Sequence, residues 1–206
     1  MSANVLKRFI IYMAIATFVM FTVWALVRSY MNRPPGDYET EVCDIRLKDK
    51  LYDEAMSAAN KALEKTPNHR GAIMCKALIY ISQKDYVNAT NELNYLIKYL
   101  ESNLETDDLT GIGTLAAAYA NRGIIKDRNK NYEGALADYL KALGIDHEAV
   151  AGPGLGTVIL NYKYKSSSVK ERALYLNEQL QLPEAERVLS IKELDEGQVM
   201  HKPGKL

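Results

Sequence analysis

The sequence has few of the residues from which metal centres and disulfide scaffolds are built. Its 206 residues include three histidines and two cysteines. His69, His147 and His201 lie far apart, and none has a second His or a Cys at ligand spacing, so the sequence predicts no metal site. Two cysteines, Cys43 and Cys75, are too few for a disulfide scaffold.

The motifs of common enzyme classes are also missing. The chain has no Ser-centred G-x-S-x-G elbow and no H-E-x-x-H helix. The glycine-rich run GPGLGTV at 152–158 lacks the Lys-Ser/Thr pair of a phosphate loop and leads into an apolar, β-branched run, so we interpret it as a connecting loop. We therefore predict no catalytic residues, no cofactor, no small-molecule substrate, and a protein that is not an enzyme.

An excess of charge of one sign is missing as well. Lys and Arg together number 26, as do Asp and Glu, so the chain has no basic excess of the kind that indicates nucleic-acid binding. The segment 163–172 holds four cations, but acids lie close by, and we interpret it as a solvated helix start. Hydrophobic residues make up 48% of the chain, which predicts a folded protein.

What is present begins with one long apolar run. Residues 9–27, FIIYMAIATFVMFTVWALV, contain no charge, proline or glycine. As a helix they would span roughly 29 Å, close to the ~30 Å core of a bilayer. Arg28 ends the run, and Trp24 and Tyr30 lie near that end, where aromatic rings favour the headgroup zone. We predict that residues 1–33 are a tail and an anchor that contacts the lipid bilayer through 9–27.

A cleaved signal peptide is the alternative for this segment. Signal peptides have a shorter apolar region, about 7–15 residues, that ends at a small-x-small cleavage site. The sequence WALVRSYMNRPPG offers no convincing site, so an uncleaved anchor is favoured. A buried core helix is disfavoured because the run is apolar on all sides.

The cations on the two flanks of the run bear on its orientation. Lys7 and Arg8 precede it, and Arg28 and Arg33 follow it, so the charge bias is nearly even. The short N-terminal tail most simply stays in the cytoplasm. We therefore predict a single-pass protein of a bacterial inner membrane with its C-terminal domain in the periplasm.

A recurring pattern follows the apolar run. In the stretch YDEAMSAANKALEKTPN at 52–68, Tyr52 lies three positions before Ala55, and Ala59 lies four positions after it. The same pattern recurs 34 residues later, and again after a further 46, which is one period plus an insertion of 12 that we place in LETDDLTGIGTL at 104–115. Each marker helix follows a second helical stretch. In the third unit, small residues at Gly123, Ala135 and Ala142 would let two helices approach closely, with Tyr132 and Tyr139 beside them.

The stretches YDEAMSAANKALEKTPN, DYVNATNELNYLI and NRGIIKDRNKNYEGALADYLKALGID resemble the tetratricopeptide repeat (TPR) family. The resemblance covers about 38–149 and implies an all-α protein with an α-solenoid of about three repeats and a helical cap. The repeats would occupy 34–149, as units of approximately 36–69, 70–103 and 116–149. A chance amphipathic helical bundle is the alternative.

Residues 150–206 depart from the repeat pattern. We predict a loop, degenerate capping helices and a flexible tail. Ser168 and Glu171 form the signature of a capping box, and Pro183 suits the first position of a following helix, LPEAERVLSIKEL.

The two cysteines fall on the first helices of adjacent predicted units. A disulfide between Cys43 and Cys75 is conceivable if the domain faces an oxidising space. Free cysteine is among the most buried residue types, so packing in the core as free thiols is the favoured interpretation.

The TPR resemblance implies protein binding in a groove lined by the leading helix of each unit. The residues that it places there are Asp44, Leu47, Lys48, Met74, Leu78, Ile81, Ala120, Ile124, Asp127 and Arg128. The carboxylate clamp of one TPR subgroup is absent apart from an Asn, since its positions hold Thr40, Asp44, Cys75, Ala117 and Asn121. The apolar groove residues indicate a partner peptide or helix. The alternative is that 150–206 fold back and fill the groove.

The sequence thus predicts a non-catalytic, membrane-anchored protein–protein interaction scaffold or assembly factor that acts on membrane or periplasmic complexes. Two alternatives remain open: an organelle targeting or import receptor with a cytosolic TPR domain, and an enzyme accessory subunit.

Overall fold

A computed structural model describes residues 3–31, 33–148, 150, 168–191 and 198, with side chains from 4 to 28 in the first helix. Within these residues the protein is all-helical, which confirms the predicted class. The elements are α1 (Ala3–Met31), α2 (Asp37–Lys48), α3 (Tyr52–Lys65), α4 (Arg70–Ser82), α5 (Tyr86–Asn103), α6 (Leu109–Arg128), α7 (Tyr132–Ile145), α8 (Val169–Leu180) and a 3₁₀ turn (Glu184–Glu186). The predicted loop at 152–158 and His201 lie outside the described residues, as does the predicted tail apart from Gln198.

Helix α1 contains the predicted anchor. Its stretch Asn4–Arg28 is long and apolar enough to cross a membrane, and every described side chain on it is exposed. The hydroxyls of Thr17 and Thr22 donate to carbonyl oxygens one turn earlier, at 2.8 Å to Met13 and 3.0 Å to Phe18. Both polar groups are therefore satisfied within the helix, as a membrane-spanning helix would require.

Helices α2 to α7 form three consecutive pairs. The closest packing joins α2 to α3, α4 to α5, and α6 to α7. Each pair packs on the next through α3 against α4 and α5 against α6, and α8 packs on α7. The first helices of the pairs are also neighbours, since α2 contacts α4 and α4 contacts α6. We call α2, α4 and α6 the leading helices.

Each leading helix ends in the same turn. Lys50, Lys84 and Lys130 follow α2, α4 and α6 with φ of 59°, 62° and 62°. In each turn the lysine N–H donates to a carbonyl three residues back, and the next residue donates five residues back, as Leu51 does to Arg46 at 2.9 Å. This is the hydrogen-bond pattern of a Schellman C-cap, which reverses the chain between paired helices.

Small residues set the closest approach between α6 and α7. A Cβ at Gly123 would lie 2.6 Å from Cε1 of Tyr139 and 3.3 Å from the carbonyl oxygen of Ala135. Tyr139 is buried against the space that the missing side chain leaves. The predicted packing of Gly123, Ala135 and Tyr139 is confirmed.

A disulfide links α2 to α4, and the prediction of two free thiols is wrong. The sulfurs of Cys43 and Cys75 are 2.00 Å apart, and the Cα atoms are 6.6 Å apart. Both cysteines are buried with Ala55, Ala58 and Ile79 in a small cluster under α3. The sequence placed each cysteine on a leading helix, but only the side-by-side packing of α2 and α4 brings the two sulfurs together.

The 12-residue insertion is not a loop. Helix α5 has 18 residues and α6 has 20, whereas α3 and α7 have 14 each. The extra residues lengthen the two helices, and only 104–108 remain as the connection. Asp108 begins α6 by accepting a hydrogen bond from the N–H of Gly111 at 2.8 Å, so the turn-forming residues act as a helix cap.

The capping box that begins α8 is confirmed, but the helix predicted after Pro183 is not formed in the described residues. Ser168 and Glu171 each accept from the other's backbone N–H, at 3.1 and 3.0 Å. Beyond Pro183 there is one 3₁₀ turn, and 187–191 are non-helical. Side chains of α8 hold this segment instead, because Gln179 accepts from the N–H of Val188 at 2.8 Å.

Candidate partner-binding site

The predicted groove residues differ widely in exposure. Met74, Leu78, Ile81, Ala120 and Ile124 are buried in the main core cluster. They support the packing of the leading helices and do not form an exposed surface. Leu47 is half-buried, and Lys48 and Arg128 are exposed at the ends of α2 and α6. Asp44 is also half-buried, so without displacement of other residues a partner can contact only these last three and Asp44.

Asp127 is buried beneath the C-terminal part of the chain. Its carboxylate accepts from Nε and Nη2 of Arg172 at 2.7 and 2.8 Å. It also accepts from Nε2 of Gln198 at 2.7 Å and from the hydroxyl of Tyr139 at 3.2 Å. Burial, followed by the charge of Asp127, raises the pKa of Tyr139 well above its ordinary value. Arg172 and Gln198, both within 150–206, therefore cover Asp127, which is one of the residues that the TPR resemblance places in the groove.

An open cavity lies at the other end of the leading helices. Its volume is about 760 Å³, within the range of ligand sites, roughly 300–1,000 Å³. The first turns of α2, α4 and α6 meet there, together with the last turns of α5 and the 104–108 connection. We call it the first-turn cavity. It contains Thr40 and Asp44, two of the positions compared with the carboxylate clamp.

One wall of the first-turn cavity is acidic. Asp37, Glu41 and Asp44 follow one another at i, i+4 and i+7 and thus share one face of α2. Arg33 lies beside them, and its Nη1 donates to Glu41 at 2.9 Å. A carboxylate ligand would meet repulsion along this wall.

The opposite wall is held by an ion pair between α4 and the start of α6. Arg70 donates to the carboxylate of Asp108, which also caps α6 through Gly111. The bond from Arg70 is the largest cause that lowers the pKa of Asp108 below its ordinary value, and burial opposes it. Leu100, Leu104 and Tyr99 add apolar surface to this wall.

His69 connects the floor of the cavity to α2. Its Nδ1 accepts from the N–H of Ala72 at 3.3 Å, which makes His69 the N-cap of α4. With Nδ1 as acceptor, Nε2 carries the proton and donates to Asp37 at 2.9 Å. The sequence predicts no site role for His69, and no local pattern indicates this contact, because Asp37 lies 32 residues away.

The sequence contains only part of the residue pattern that forms the first-turn cavity. The acidic spacing on α2 was readable from the sequence, but the contribution of the 104–108 connection depends on how α5 and α6 lengthen. Among the described residues, no group of three or more His, Cys, Asp or Glu could hold a metal ion. The charged and polar side chains of the first-turn cavity can bind a polypeptide or a ligand through ion pairs and hydrogen bonds.

Comparison with known proteins leaves the family open. No protein-family model matches the chain, and no curated protein matches it significantly.

Proposed function

We propose that the protein is a non-catalytic, membrane-anchored scaffold or assembly factor whose helix pairs bind a protein partner. The observation that carries the proposal is the first-turn cavity, which is open, large, and built jointly by the leading helices. A surface shared by successive helix pairs is typical of repeat proteins that bind other proteins. The TPR-like α-solenoid of three repeats is part of this proposal, and the identical Schellman turns after α2, α4 and α6 support it.

The proposed location is a bacterial inner membrane, with α2 to α8 on the periplasmic side. The disulfide between Cys43 and Cys75 supports an oxidising compartment, because reducing compartments keep thiols free. Helix α1 then crosses the bilayer. Arg33, at the rim of the cavity, lies five residues after Arg28, hence within about 18 Å of the end of the span. A partner in the cavity is therefore held near the bilayer surface.

The test is cross-linking in native membranes, followed by purification in mild detergent and identification of the partner. A double variant, Asn103→Trp with Thr110→Trp, fills the cavity from exposed positions on two of its walls. Its control, Ser57→Trp with Asn91→Trp, adds the same two indoles at exposed helix positions outside the cavity.

The proposal expects a defined partner with the wild type and the control, and loss of that partner with the cavity variant. Recovery of the same partner with all three proteins would reject the cavity as the binding site. Circular dichroism of each variant checks that its helices are intact.

A further inference from the structure

The lining of the first-turn cavity contains more acids than bases. Among the described residues, it includes five carboxylates, which belong to Asp37, Glu41, Asp44, Glu105 and Asp108. The cations of the same lining are the guanidinium groups of Arg33 and Arg70. His69 accepts a hydrogen bond at Nδ1 and donates one at Nε2, so it contributes no charge. The described lining therefore carries an excess of three negative charges, in a chain with no net charge.

Cations close to the cavity do not cancel this excess. Three of them have a carboxylate of their own outside the lining: Arg46 with Glu54 at 3.2 Å, Lys65 with Glu39 at 2.7 Å, and Lys76 with Glu92 at 2.7 Å. Lys98 and Asp107 are both exposed next to lining residues, and their charges offset each other. The described surroundings of the cavity thus leave its negative charge in place.

The wall opposite α2 also offers apolar surface. Tyr99 and Leu104 are half-buried there, and Leu100 lies beneath them. Lys and Arg side chains have a long aliphatic stem that packs on apolar surface and a charged head that stays polar. A tyrosine ring adds a face that attracts cations. The cavity can therefore bind both parts of such a side chain, with the stem on Tyr99 and Leu104 and the head at the carboxylates of α2.

One cation of the chain itself already lies against the acidic wall. Nη1 of Arg33 donates to the carboxylate of Glu41 at 2.9 Å. Arg33 belongs to the link between α1 and α2, and the two side chains are 41% and 38% exposed. Ion pairs with this exposure contribute little to stability. The contact shows that the wall accepts a guanidinium group, and a second cation can replace Arg33 there at little cost.

We propose that the first-turn cavity binds a Lys- or Arg-containing segment of the protein partner, and that a cation of this segment replaces Arg33 at Glu41. The inference rests on the proposed function, because it states the chemistry of the partner that the cavity binds. Asp37 and Asp44 lie seven residues apart on one face of α2, which is about 10 Å along the helix. The wall therefore has room for more than one cationic side chain.

The test measures peptide binding to the full-length protein in phosphatidylcholine nanodiscs at low salt. The probe is a labelled ten-residue peptide with four Arg separated by Gly and Ser, and its counterpart carries citrulline, the uncharged isostere of Arg. The lining variant, Glu41→Gln with Glu105→Gln, removes two carboxylates and keeps the size of both side chains. The control, Glu64→Gln with Glu178→Gln, makes the same change of charge at exposed positions outside the cavity.

The wild type and the control should bind the Arg peptide, and the lining variant should bind it about three- to tenfold more weakly. Binding should weaken as the salt concentration rises, because salt screens exposed ion pairs. Equal weakening in the control, equal binding of the citrulline peptide, or no binding of the Arg peptide by the wild type would overturn the proposal. Tighter binding of free spermidine than of the Arg peptide would identify a polyamine site and would overturn it as well.

A second variant tests the replacement of Arg33 through an effect of opposite sign. Arg33→Gln removes the cation that competes for Glu41, so the Arg peptide should bind about two- to fivefold more tightly. Lys170→Gln removes one cation from an exposed position on α8 and should leave the affinity unchanged. A gain of the same size in both variants would attribute the effect to overall charge and reject the proposal, as would the absence of a gain with Arg33→Gln.

Recovery of the partner from native membranes separates this inference from the proposed function. If the lining variant keeps a partner that Asn103→Trp with Thr110→Trp loses, the cationic segment is rejected and the proposed function stands. If both variants keep the partner, the cavity is not the binding site and both proposals fail. Loss of the partner in both variants, with circular dichroism showing intact helices, supports both.

Discussion

The guanidinium of Arg172 and the carboxylate of Asp127 form a bidentate ion pair across 45 residues of sequence. The two side chains belong to α8 and α6, with residue exposures of 1% and 6%. Arg172 also donates to the carbonyl oxygen of Leu189 at 2.9 Å. One buried cation thus fixes α8 and the segment that follows it to the end of the third helix pair.

Removal of Arg172 alone should be strongly destabilising. Arg172→Met leaves the Asp127 carboxylate buried without its cation, at an expected cost of about 3–5 kcal/mol in the free energy of unfolding. The double variant, Arg172→Met with Asp127→Leu, removes both charges and should regain most of that loss. Urea unfolding in mild detergent, followed by circular dichroism, measures both. A single-variant cost below about 1 kcal/mol would contradict the structural role of the pair.

Reduction of the disulfide should lower stability without removing the helices. The bridge closes a loop between residues 32 apart, and such a loop predicts about 3–4 kcal/mol of stabilisation. Urea unfolding with and without reductant measures the loss. The variant Cys43→Ala with Cys75→Ala serves as the control, since reductant should leave its unfolding midpoint unchanged. Two freely alkylated thiols in protein from native membranes would contradict the disulfide and the oxidising compartment together.

Gly123 and Gly144 should respond in opposite directions to alanine. At Gly123 a Cβ would lie 2.6 Å from the ring of Tyr139, so Gly123→Ala should cost about 1–3 kcal/mol through overpacking. At Gly144 nothing lies within 4 Å of the added carbon, so Gly144→Ala should stabilise α7 by about 0.5–1 kcal/mol. Thermal unfolding of the two variants measures both expected changes in stability. Similar shifts in both would contradict the close approach of α6 and α7.

The ion pair between Asp108 and Arg70 should contribute stability that depends on pH. The pKa of Asp108 is lowered in the folded state, so its contribution is complete above the ordinary value near ~4 and is lost as pH falls through the lowered value. Asn retains the N-cap, so Asp108→Asn isolates the charge. The expected loss is about 0.5 kcal/mol at neutral pH, because the pair is partly exposed.

Unfolding measured from pH 7 to pH 3 tests the prediction about Asp108. The difference in the free energy of unfolding between the wild type and Asp108→Asn should become smaller below about pH 4, and it should not grow. Asp107→Asn removes a neighbouring exposed carboxylate and should change the free energy of unfolding less than Asp108→Asn does at neutral pH. A constant difference across the range would mean that the effect does not come from the charge.

The helices and their pairing were largely readable from the sequence. Small residues at Gly123 and Ala135, with the large Tyr139 one helical turn after Ala135, predict a close pair of helices. The long apolar helix α1 was equally readable, since its length and its lack of charge are visible in the sequence. The capping box at Ser168 and Glu171 is a local signal of the same kind.

Tertiary structure decided the rest because the deciding contacts join residues far apart in the chain. The sulfurs of Cys43 and Cys75 meet only because α2 packs beside α4. Burial of Met74 and Ile124 depends on neighbouring helices that the repeat spacing does not describe. The first-turn cavity exists only where the leading helices lie side by side. The sequence determined which helices form, and their packing determined which faces are available to a partner.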